Sequence, residues 1–218
     1  PRVQMRGWMT EDASRRIVTL AGQDLDTLRA AAERRDFLPV PLGIHLSVAF
    51  SCDIRKGKTC NILGLLPGSD PELSRQAVIF MAHHDHLGLA AQRNAEGDNI
   101  YNGAVDNASG TGALLAIARA CAQLPKRPAR SILFAAVGAE EQGLLGSLYL
   151  AEHPPIEVGN MAAVINIDGI NIFGPTRDVN VIGLRKSNLD ELVNQVARWQ
   201  KRVVTPDQFP DRGYYYRS

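Results

Sequence analysis

Hydrophobic residues occur along the chain in short blocks that predict alternating strands and helices. Continuous apolar runs predict strands covered on both faces, and shorter runs predict further strands. Together these strands are predicted at residues 61–66, 77–82, 131–137, 162–167 and 179–183. Apolar positions three and four residues apart predict amphipathic helices. These helices are predicted from residue 109 to about 121, from about 143 to 152, and over about 189–196.

The N-terminal region has a different pattern. Thr10 and Asp24 are typical helix N-caps, and they predict helices over residues 10–20 and 25–35. Residues 43–54 alternate apolar and polar side chains, which predicts a strand. Residues 203–218 are rich in Pro, Asp and Tyr and are predicted to be irregular.

Strands alternating with helices predict an α/β fold with a mostly parallel, helix-covered mixed sheet. A chain of 218 residues is long enough for one such domain with a buried core. We therefore expect a single domain over residues 1–218, with the two N-terminal helices (about residues 10–35) as an appendage.

Composition and charge narrow the function classes. Lys and Arg exceed Asp and Glu by one, and no basic stripe is present, which argues against nucleic acid as a partner. No apolar run approaches the roughly 20 residues that span a bilayer, so we expect no membrane association. Three cysteines are too few for a disulfide framework, although Cys52 and Cys60 could either pair across a turn or remain free thiols.

Metal-capable side chains follow three of the predicted strands. In open α/β sheets, ligands gather beyond the carboxyl ends of the strands, so residues far apart in sequence are expected to meet there. A further carboxylate, in a Gly/Asn/Ser-rich turn before a helix, has access to the same edge. These candidates are His83 and Asp85, Glu140 and Glu141, Asp168, and Asp106 in the turn.

One imidazole and several carboxylates, without thiolates, suit a borderline or hard divalent cation. So many carboxylates would repel one another unless two cations neutralised them, and two metals can hold a water between them as the nucleophile. His83 would ligate, with Asp85 beneath it accepting the imidazole N–H. Of the adjacent pair Glu140 and Glu141, one would ligate and the other would act as general base.

Each candidate also has an ordinary structural interpretation. Asp106 could cap the following helix, Asp168 could belong to a strand-ending turn, and the Glu140–Glu141 pair could be a solvated helix start. His84 and His86 are interpreted as structural or loop-lining, and His45 and His153 as surface or core histidines. The metal hypothesis depends on several sites recurring at matching strand ends, which the separate interpretations do not jointly predict.

The motifs at these positions resemble those of the co-catalytic di-zinc aminopeptidases, a family that includes bacterial leucyl aminopeptidases and glutamate carboxypeptidase relatives. They occur in the family's order over residues 83–169. The motifs are His83-His-Asp-His-Leu-Gly, Gly103-Ala-Val-Asp-Asn-Ala-Ser-Gly-Thr-Gly, Ala139-Glu-Glu-Gln-Gly-Leu-Leu-Gly-Ser and Asn166-Ile-Asp-Gly. The resemblance implies a three-layer α/β/α fold of the zinc-exopeptidase type.

The resemblance also implies a role for each residue. One zinc would be bound by His83 and Asp168 and the other by Glu141, with Asp106 bridging the two. Glu140 would be the general base and Asp85 the partner of His83. The implied activity is removal of N-terminal residues from a peptide with a free amino terminus, and export to the periplasm or the extracellular space is implied because relatives usually carry signal peptides.

The chain departs from the family pattern after Asp168. The family's last ligand is a histidine, usually preceded by a tyrosine, but no histidine follows His153 here. We therefore expect a catalytic core that is incomplete at its C-terminus, lacks a signal peptide and could itself be inactive. With only Asp106 and Glu141 as protein ligands of the second zinc, one zinc at His83, Asp106 and Asp168 is expected to bind better than two.

Two alternatives remain open from the sequence. A glutaminyl cyclase shares this fold but performs acyl transfer with one catalytic zinc, and the complete set of His83, Asp85 and Asp168 favours the two-metal hydrolase. A receptor-like or interaction module of the same fold would need no catalysis. The intact ligands and base argue against that second alternative.

Overall fold

The computed structural model describes residues 7–54 and 56–212 and divides the chain into two compact units. The first unit is Pro1–Lys56 and the second is Gly57–Ser218. The prediction of a single domain with residues 10–35 as an appendage stays a prediction.

Two capped helices form the regular part of the first unit. Helices α1 (Glu11–Leu20) and α2 (Leu25–Ala32) begin where the sequence predicts, because Thr10 and Asp24 accept hydrogen bonds from backbone N–H groups in the first turn of each. Helix α2 ends three residues before the predicted boundary. Arg15 of α1 makes a bidentate pair with Asp26 of α2 at 2.8 and 2.9 Å, a surface contact of modest energy.

The strand predicted for residues 43–54 does not form, and this stretch has no regular secondary structure over its described residues. Its alternating apolar side chains, such as Leu46 and Val48, are exposed. Alternation indicates a strand only where one face is buried and another backbone pairs with it, and neither condition is met here.

The second unit holds eight strands and three α-helices among its described residues, in the chain order β1 (Ile62–Leu66), β2 (Ala77–His83), β3 (Gly88–Leu89), β4 (Ile100–Tyr101), α3 (Gly110–Ala122), β5 (Ser131–Val137), α4 (Leu145–Glu152), β6 (Met161–Asn166), β7 (Asp178–Val181), α5 (Leu189–Trp199) and β8 (Val203–Pro206). The helices and longer strands lie within a few residues of their predicted positions.

A four-stranded sheet in the order β1-β5-β2-β6 forms the centre of this unit. Strand β2 runs parallel to both β5 and β6, and only β1 is antiparallel to its neighbour. His83 lies opposite Val137, so the carboxyl ends of β2 and β5 are level. Helix α3 packs against β2 and β5. The predicted α/β class, with a mostly parallel, helix-covered mixed sheet, is confirmed.

The core lies on the two central strands. Ile79 of β2 packs with Leu133, Ala135 and Val137 of β5, all of them buried, and Leu150 of α4 packs against this cluster. Continuous burial of β2 and β5 explains why their sequences are apolar without alternation. The two buried central strands, β2 and β5, therefore fix the positions of the residues that follow their carboxyl ends.

Two small sheets complete the unit. Strands β3 and β4 pair antiparallel, and β7 pairs in parallel with β8 across α5. The prediction of an irregular tail is wrong for β8, whose Val204 lies opposite Val179. A strand of four residues gives too short a hydrophobic pattern to recognise in the sequence. The rest of the predicted irregular tail, residues 213–218, lies outside the described residues.

The cysteines Cys52, Cys60 and Cys121 are free thiols. Among residues 7–54 and 56–212, no helix combines the length and the apolar character needed to cross a bilayer.

Candidate metal centre

The predicted candidates lie at one edge of the sheet. His83 is the last residue of β2, the pair Glu140 and Glu141 follows β5, and Asp168 follows β6. Asp106 lies in a distorted helical turn, Ala104–Ser109, immediately before α3. Because β2, β5 and β6 are parallel neighbours, their carboxyl ends deliver these side chains to the same place.

His83 is the most buried member of this group, with 2% of its surface exposed. Its Nε2 lies 3.1 Å from Oδ1 of Asp106 and 3.2 Å from Oδ1 of Asp168. Around a tetrahedral zinc with bonds of about 2.0–2.1 Å, neighbouring ligand atoms lie about 3.3 Å apart. The nitrogen therefore lies at about the ligand spacing of a divalent ion from each of the two carboxylate oxygens, and both carboxylates are more than half exposed.

The other ring nitrogen of His83 contacts Asp85 in a way the sequence did not predict. Nδ1 lies 3.1 Å from the backbone carbonyl oxygen of Asp85 but 3.8 Å from its carboxylate. The carboxylate instead accepts a hydrogen bond of 3.2 Å from the backbone N–H of Glu140. The backbone of Asp85 thus orients the imidazole, and its side chain links the end of β2 to the loop after β5.

Burial and charge act on the titratable groups of this edge. Burial alone lowers the pKa of His83, but the hydrogen bond to Asp168 and the charges of Glu140 and Asp168 outweigh it and raise that pKa above its usual value. The pKa of Glu140 is also raised, first by burial and then by the charges of neighbouring carboxylates, although His83 lowers it. Without a cation, His83 and Glu140 therefore hold their protons to higher pH than usual.

The two adjacent glutamates face different partners. The charges of His83 and Asp168 act on Glu140, whereas Oε1 of Glu141 lies 2.7 Å from Nδ1 of His86. The backbone carbonyl of Glu140 accepts hydrogen bonds from the N–H groups of Gly143 and Leu144, which closes the turn that carries both side chains. The carboxylates of Glu140 and Glu141 thus interact with different groups at the carboxyl edge of the sheet.

His86, which the sequence predicts to be structural or loop-lining, lies close to Asp106 and Glu141 and also lines the cleft beside them. Donor atoms of His86, Asp106 and Glu141 lie within 4.8 Å of one another, as do those of His83, Asp106 and Asp168. Asp106 is common to both groups. The signal in the sequence was the position of His86, three residues after His83 and just beyond the end of a strand.

Asn107 is a second residue that the sequence did not single out. Its side chain is 1% exposed, and its Oδ1 accepts hydrogen bonds of 2.9 Å from the N–H groups of both Gly110 and Gly169. Its Nδ2 donates to the carbonyl of Ile167, also at 2.9 Å. The turn bearing Asp106 is thus tied to the segment bearing Asp168, which fixes two carboxylates relative to each other.

Asn61 holds the glutamate loop in a similar way. Its Oδ1 accepts a hydrogen bond of 3.1 Å from the N–H of Gly138, and its Nδ2 donates to the carbonyl of Gly146 at 2.8 Å. The start of α4 approaches so closely that a Cβ on Gly146 would overlap the backbone of Gly138. The loop between β5 and α4 therefore has both of its ends fixed.

A cleft of about 430 Å³ opens beside the centre. Its lining includes Asp85, His86, Tyr101, Thr111 and Leu115, so acidic and imidazole groups face it together with apolar surface. A small molecule or the end of a peptide could occupy this volume.

Comparisons with known proteins agree with this geometry. A model of peptidase family M28 matches residues 61–218. Aminopeptidase NAALADL1 of Mus musculus is 34% identical over 139 residues, which cover 61% of this chain and 16% of that protein. A probable zinc metalloprotease of Pyricularia oryzae is 35% identical over 112 residues, or 51% of this chain and 21% of that protein. The chain thus spans about a fifth or less of the length of these relatives.

Solved structures show the same fold. BSAP, a zinc aminopeptidase from Bacillus subtilis, superposes with a TM-score of 0.50 at 25% identity, over 67% of this chain and 34% of that one. A peptidase M28 precursor from Shewanella amazonensis superposes with a TM-score of 0.51 at 22% identity, over 68% of this chain and 30% of that one.

Proposed function

Since this chain belongs to peptidase family M28, we propose that it is the core of a zinc-dependent aminopeptidase. The observation that carries the proposal is the buried imidazole of His83, with carboxylate oxygens of Asp106 and Asp168 at 3.1 and 3.2 Å. Support for zinc and for a peptide substrate comes from the names of its relatives, a zinc aminopeptidase and a zinc metalloprotease among them.

The donor set fits zinc. His83, Asp106 and Asp168 would hold one ion, and Glu141 with the shared Asp106 would hold a second ion beside it. Zinc supplies Lewis-acid polarisation of the scissile carbonyl and makes water more acidic near neutral pH. Without cations, four carboxylates would repel one another at this edge, which is the electrostatic reason to expect metal ions here.

Glu140 would act as the general base. It lies within reach of the charges of His83 and Asp168, and burial together with neighbouring carboxylates raises its pKa. A carboxylate with a raised pKa is a better proton acceptor near neutral pH. It would take a proton from the attacking water and pass it to the nitrogen of the departing amine. The N–H of Glu140 is meanwhile held by the carboxylate of Asp85.

The proposed substrate is a peptide with a free N-terminus, bound with its first residue in the cleft beside His86 and Tyr101. A protonated α-amine would be attracted by Asp85 in the lining of that cleft. Two groups of metal donors favour this hydrolase over a single-zinc glutaminyl cyclase, and the intact donors favour it over a receptor-like module. Export stays a prediction.

The test is hydrolysis of aminoacyl-p-nitroanilides by the zinc-loaded chain, with and without a chelator. Glu140→Gln should keep its zinc and lose about 10²–10⁴-fold in kcat, the usual size of a general-base contribution. Glu152→Gln, an exposed residue at the end of α4, is the matched control and should leave the rate unchanged.

Retained turnover in Glu140→Gln would reject the assignment of the base. Cyclisation of an N-terminal glutamine substrate without hydrolysis of the anilides would reject the aminopeptidase in favour of the acyl transferase. Chelator-resistant hydrolysis would reject the metal.

A further inference from the structure

We propose that Asn61 is a positioning residue that holds the glutamate loop, residues 138–144 between β5 and α4, in a strained backbone conformation. Glu140 thereby keeps its place at the carboxyl edge of the sheet. The inference rests on the role proposed above for Glu140 as general base, and it adds a residue that immediately precedes β1.

The glutamate loop contains two residues other than glycine whose backbone is left-handed. Ala139 has a φ of 54° and Leu144 has a φ of 61°. This conformation is costly for any residue with a Cβ, because the Cβ crowds the following carbonyl oxygen. Such strain persists where the surrounding structure holds it, and it is concentrated at functional sites. Since Ala139 immediately precedes Glu140, the direction of the proposed base depends on a strained residue.

Asn61 connects the two ends of this loop. Its Oδ1 accepts a hydrogen bond of 3.1 Å from the N–H of Gly138, and its Nδ2 donates to the carbonyl of Gly146 at 2.8 Å. Both glycines are buried, so water is poorly placed to replace the amide as a partner of these backbone groups. One side chain therefore fixes the distance between the end of β5 and the first turn of α4.

The segment that carries Asn61 is itself held from outside the loop. Ile62 lies opposite Ala136 in the pairing of β1 with β5. On the other side of Asn61, the carbonyl of Cys60 lies 3.0 Å from Nε2 of His84, which follows β2 directly. The position of the Asn61 amide is thus set by the central sheet, and the amide transfers that position to the loop.

A second side chain also holds the loop. The carboxylate of Asp85 accepts a hydrogen bond of 3.2 Å from the N–H of Glu140. However, Asp85 lies beside His83 and lines the cleft, so its substitution would disturb several functions at once. Asn61 can be substituted without the loss of a candidate ligand, and this makes it the residue to test.

The first measurement compares the steady-state hydrolysis of aminoacyl-p-nitroanilides by the zinc-loaded native chain and by Asn61→Ala. A loosened loop misplaces the base but removes no substrate contact, so kcat should fall by about 10–100-fold while KM changes little. Asn180→Ala is the matched control, because Nδ2 of Asn180 donates to the carbonyl of Pro206 at 2.7 Å in the small β7–β8 sheet. This variant loses a similar hydrogen bond and should keep the native kcat.

Relief of the strain distinguishes positioning from a general structural role. Glycine adopts a left-handed backbone without the Cβ penalty, so Ala139→Gly should let the loop keep its shape when the Asn61 amide is absent. The double variant Asn61→Ala/Ala139→Gly should therefore recover about tenfold in kcat relative to Asn61→Ala. Gln142→Gly adds similar flexibility at a position of this loop whose φ is negative, and it should recover nothing.

Hydrogen exchange of the metal-free chain tests the loop independently of turnover. Measured by mass spectrometry over residues 138–146, exchange should be at least about tenfold faster in Asn61→Ala than in the native chain. Addition of Ala139→Gly should slow it again. If the native chain hydrolysed no anilide, the proposed function would fail, but the exchange rates would still decide the role of Asn61.

Three results would overturn the proposal. They are native exchange and native kcat in Asn61→Ala, no recovery in the double variant, and equal recovery with Ala139→Gly and with Gln142→Gly. If circular dichroism shows that Asn61→Ala does not fold, Asn61→Asp takes its place in every comparison. Its carboxylate still accepts from the N–H of Gly138 but cannot donate to the carbonyl of Gly146.

Discussion

The two halves of the candidate metal centre share Asp106 but are held by different parts of the fold. In the His83 half (His83, Asp106 and Asp168), the imidazole ends a central strand and is buried, and Asp168 follows the neighbouring strand. In the His86 half (His86, Asp106 and Glu141), the imidazole and Glu141 lie on loops and are about one fifth exposed. The first half depends on the sheet, and the second depends on contacts between loops.

This difference predicts unequal zinc affinities. Groups on rigid elements are held near the productive geometry before the ion arrives, whereas loop residues lose conformational freedom when they bind it. Separations of 3.1 and 3.2 Å in the His83 half are already close to a ligand spacing, but 2.7 Å in the His86 half must widen. We therefore expect the His83 half to fill first as zinc is added.

Removing the buried imidazole should have the largest effect. His83→Ala deletes the ligand on which both remaining carboxylates of its half converge, and loss of hydrolysis should follow. Since even residues that only support a ligand contribute about 10–100-fold to metal affinity, the tight site should weaken by at least about 100-fold. Zinc titration and anilide hydrolysis measure the two effects.

His153→Ala is the control for that variant, because His153 stacks on Tyr149 and belongs to neither half. It should titrate like the native chain. If His83→Ala lost the weaker ion and kept the tighter one, the assignment of the stronger site to the His83 half would be wrong.

The close contact of Gly110 with Asn107, which supports the His83 half, offers a steric test. A Cβ on Gly110 would overlap the buried amide of Asn107 and the carbonyl of Ile167. Gly110→Ala should therefore lower the free energy of unfolding by about 1–3 kcal/mol, as overpacking commonly does. It should also weaken the tight zinc site, because Asn107 connects the segments that carry Asp106 and Asp168. Denaturant unfolding and zinc titration check both.

The same helix provides a matched control. A Cβ on Gly112 meets nothing within 4 Å, so Gly112→Ala should raise the stability of α3 by roughly 0.5–1 kcal/mol through helix propensity alone. If Gly110→Ala and Gly112→Ala changed the stability and the zinc affinity equally, then close packing around Asn107 would not hold the His83 half in place.

The sequence predicted the His83 half better than the His86 half for a physical reason. His83 ends one apolar strand and Asp168 closely follows another, and parallel neighbouring strands bring such ends together. His86 meets Glu141 through two loops separated by 55 residues, and no local periodicity encodes that contact. Asn107 was missed similarly, since its partners Ile167 and Gly169 lie about 60 residues away.

The strand predictions show the same limit. The continuous apolar runs at Ala77–His83 and Ser131–Val137 are strands because both faces are covered. Residues 43–54 alternate like a strand but remain exposed and irregular, and Val203–Pro206 form a strand although they give almost no pattern. Burial can be inferred from a run of apolar residues, whereas pairing with a distant segment cannot.

The pH dependence of the stability of the metal-free chain tests the His83 half, because the titrating groups Glu140 and His83 lie there. The pKa of Glu140 is raised, so stability should fall as the pH rises from about 4.5, its unfolded value, through the folded value. The pKa of His83 is also raised, so stability should fall further as the pH rises beyond about 6.5. Saturating zinc should reverse the second fall, because protons and zinc compete for the same nitrogen.

Denaturant midpoints between pH 4 and 8, with chelator and with zinc, measure this dependence. Glu140→Gln should flatten the lower part of the metal-free curve and also reduce the upper fall, because the charge of Glu140 is one cause of the raised pKa of His83. A metal-free chain that becomes more stable from pH 5 to 8 would contradict the favoured protonation of this half.

Tyr101 offers the smallest and most selective test of the His86 half. Its ring meets the ring of His86 edge-on, with centroids 6.2 Å apart. Aromatic pairs of this kind contribute about 0.5–1.5 kcal/mol, so Tyr101→Ala should weaken the second zinc by roughly 2–10-fold and leave the first unchanged. Tyr101→Phe should titrate like the native chain, as should Tyr149→Ala, which removes a comparable ring stacked on His153 instead. Equal weakening of both ions in Tyr101→Ala would mean that the two halves are coupled through Asp106 and do not bind zinc separately.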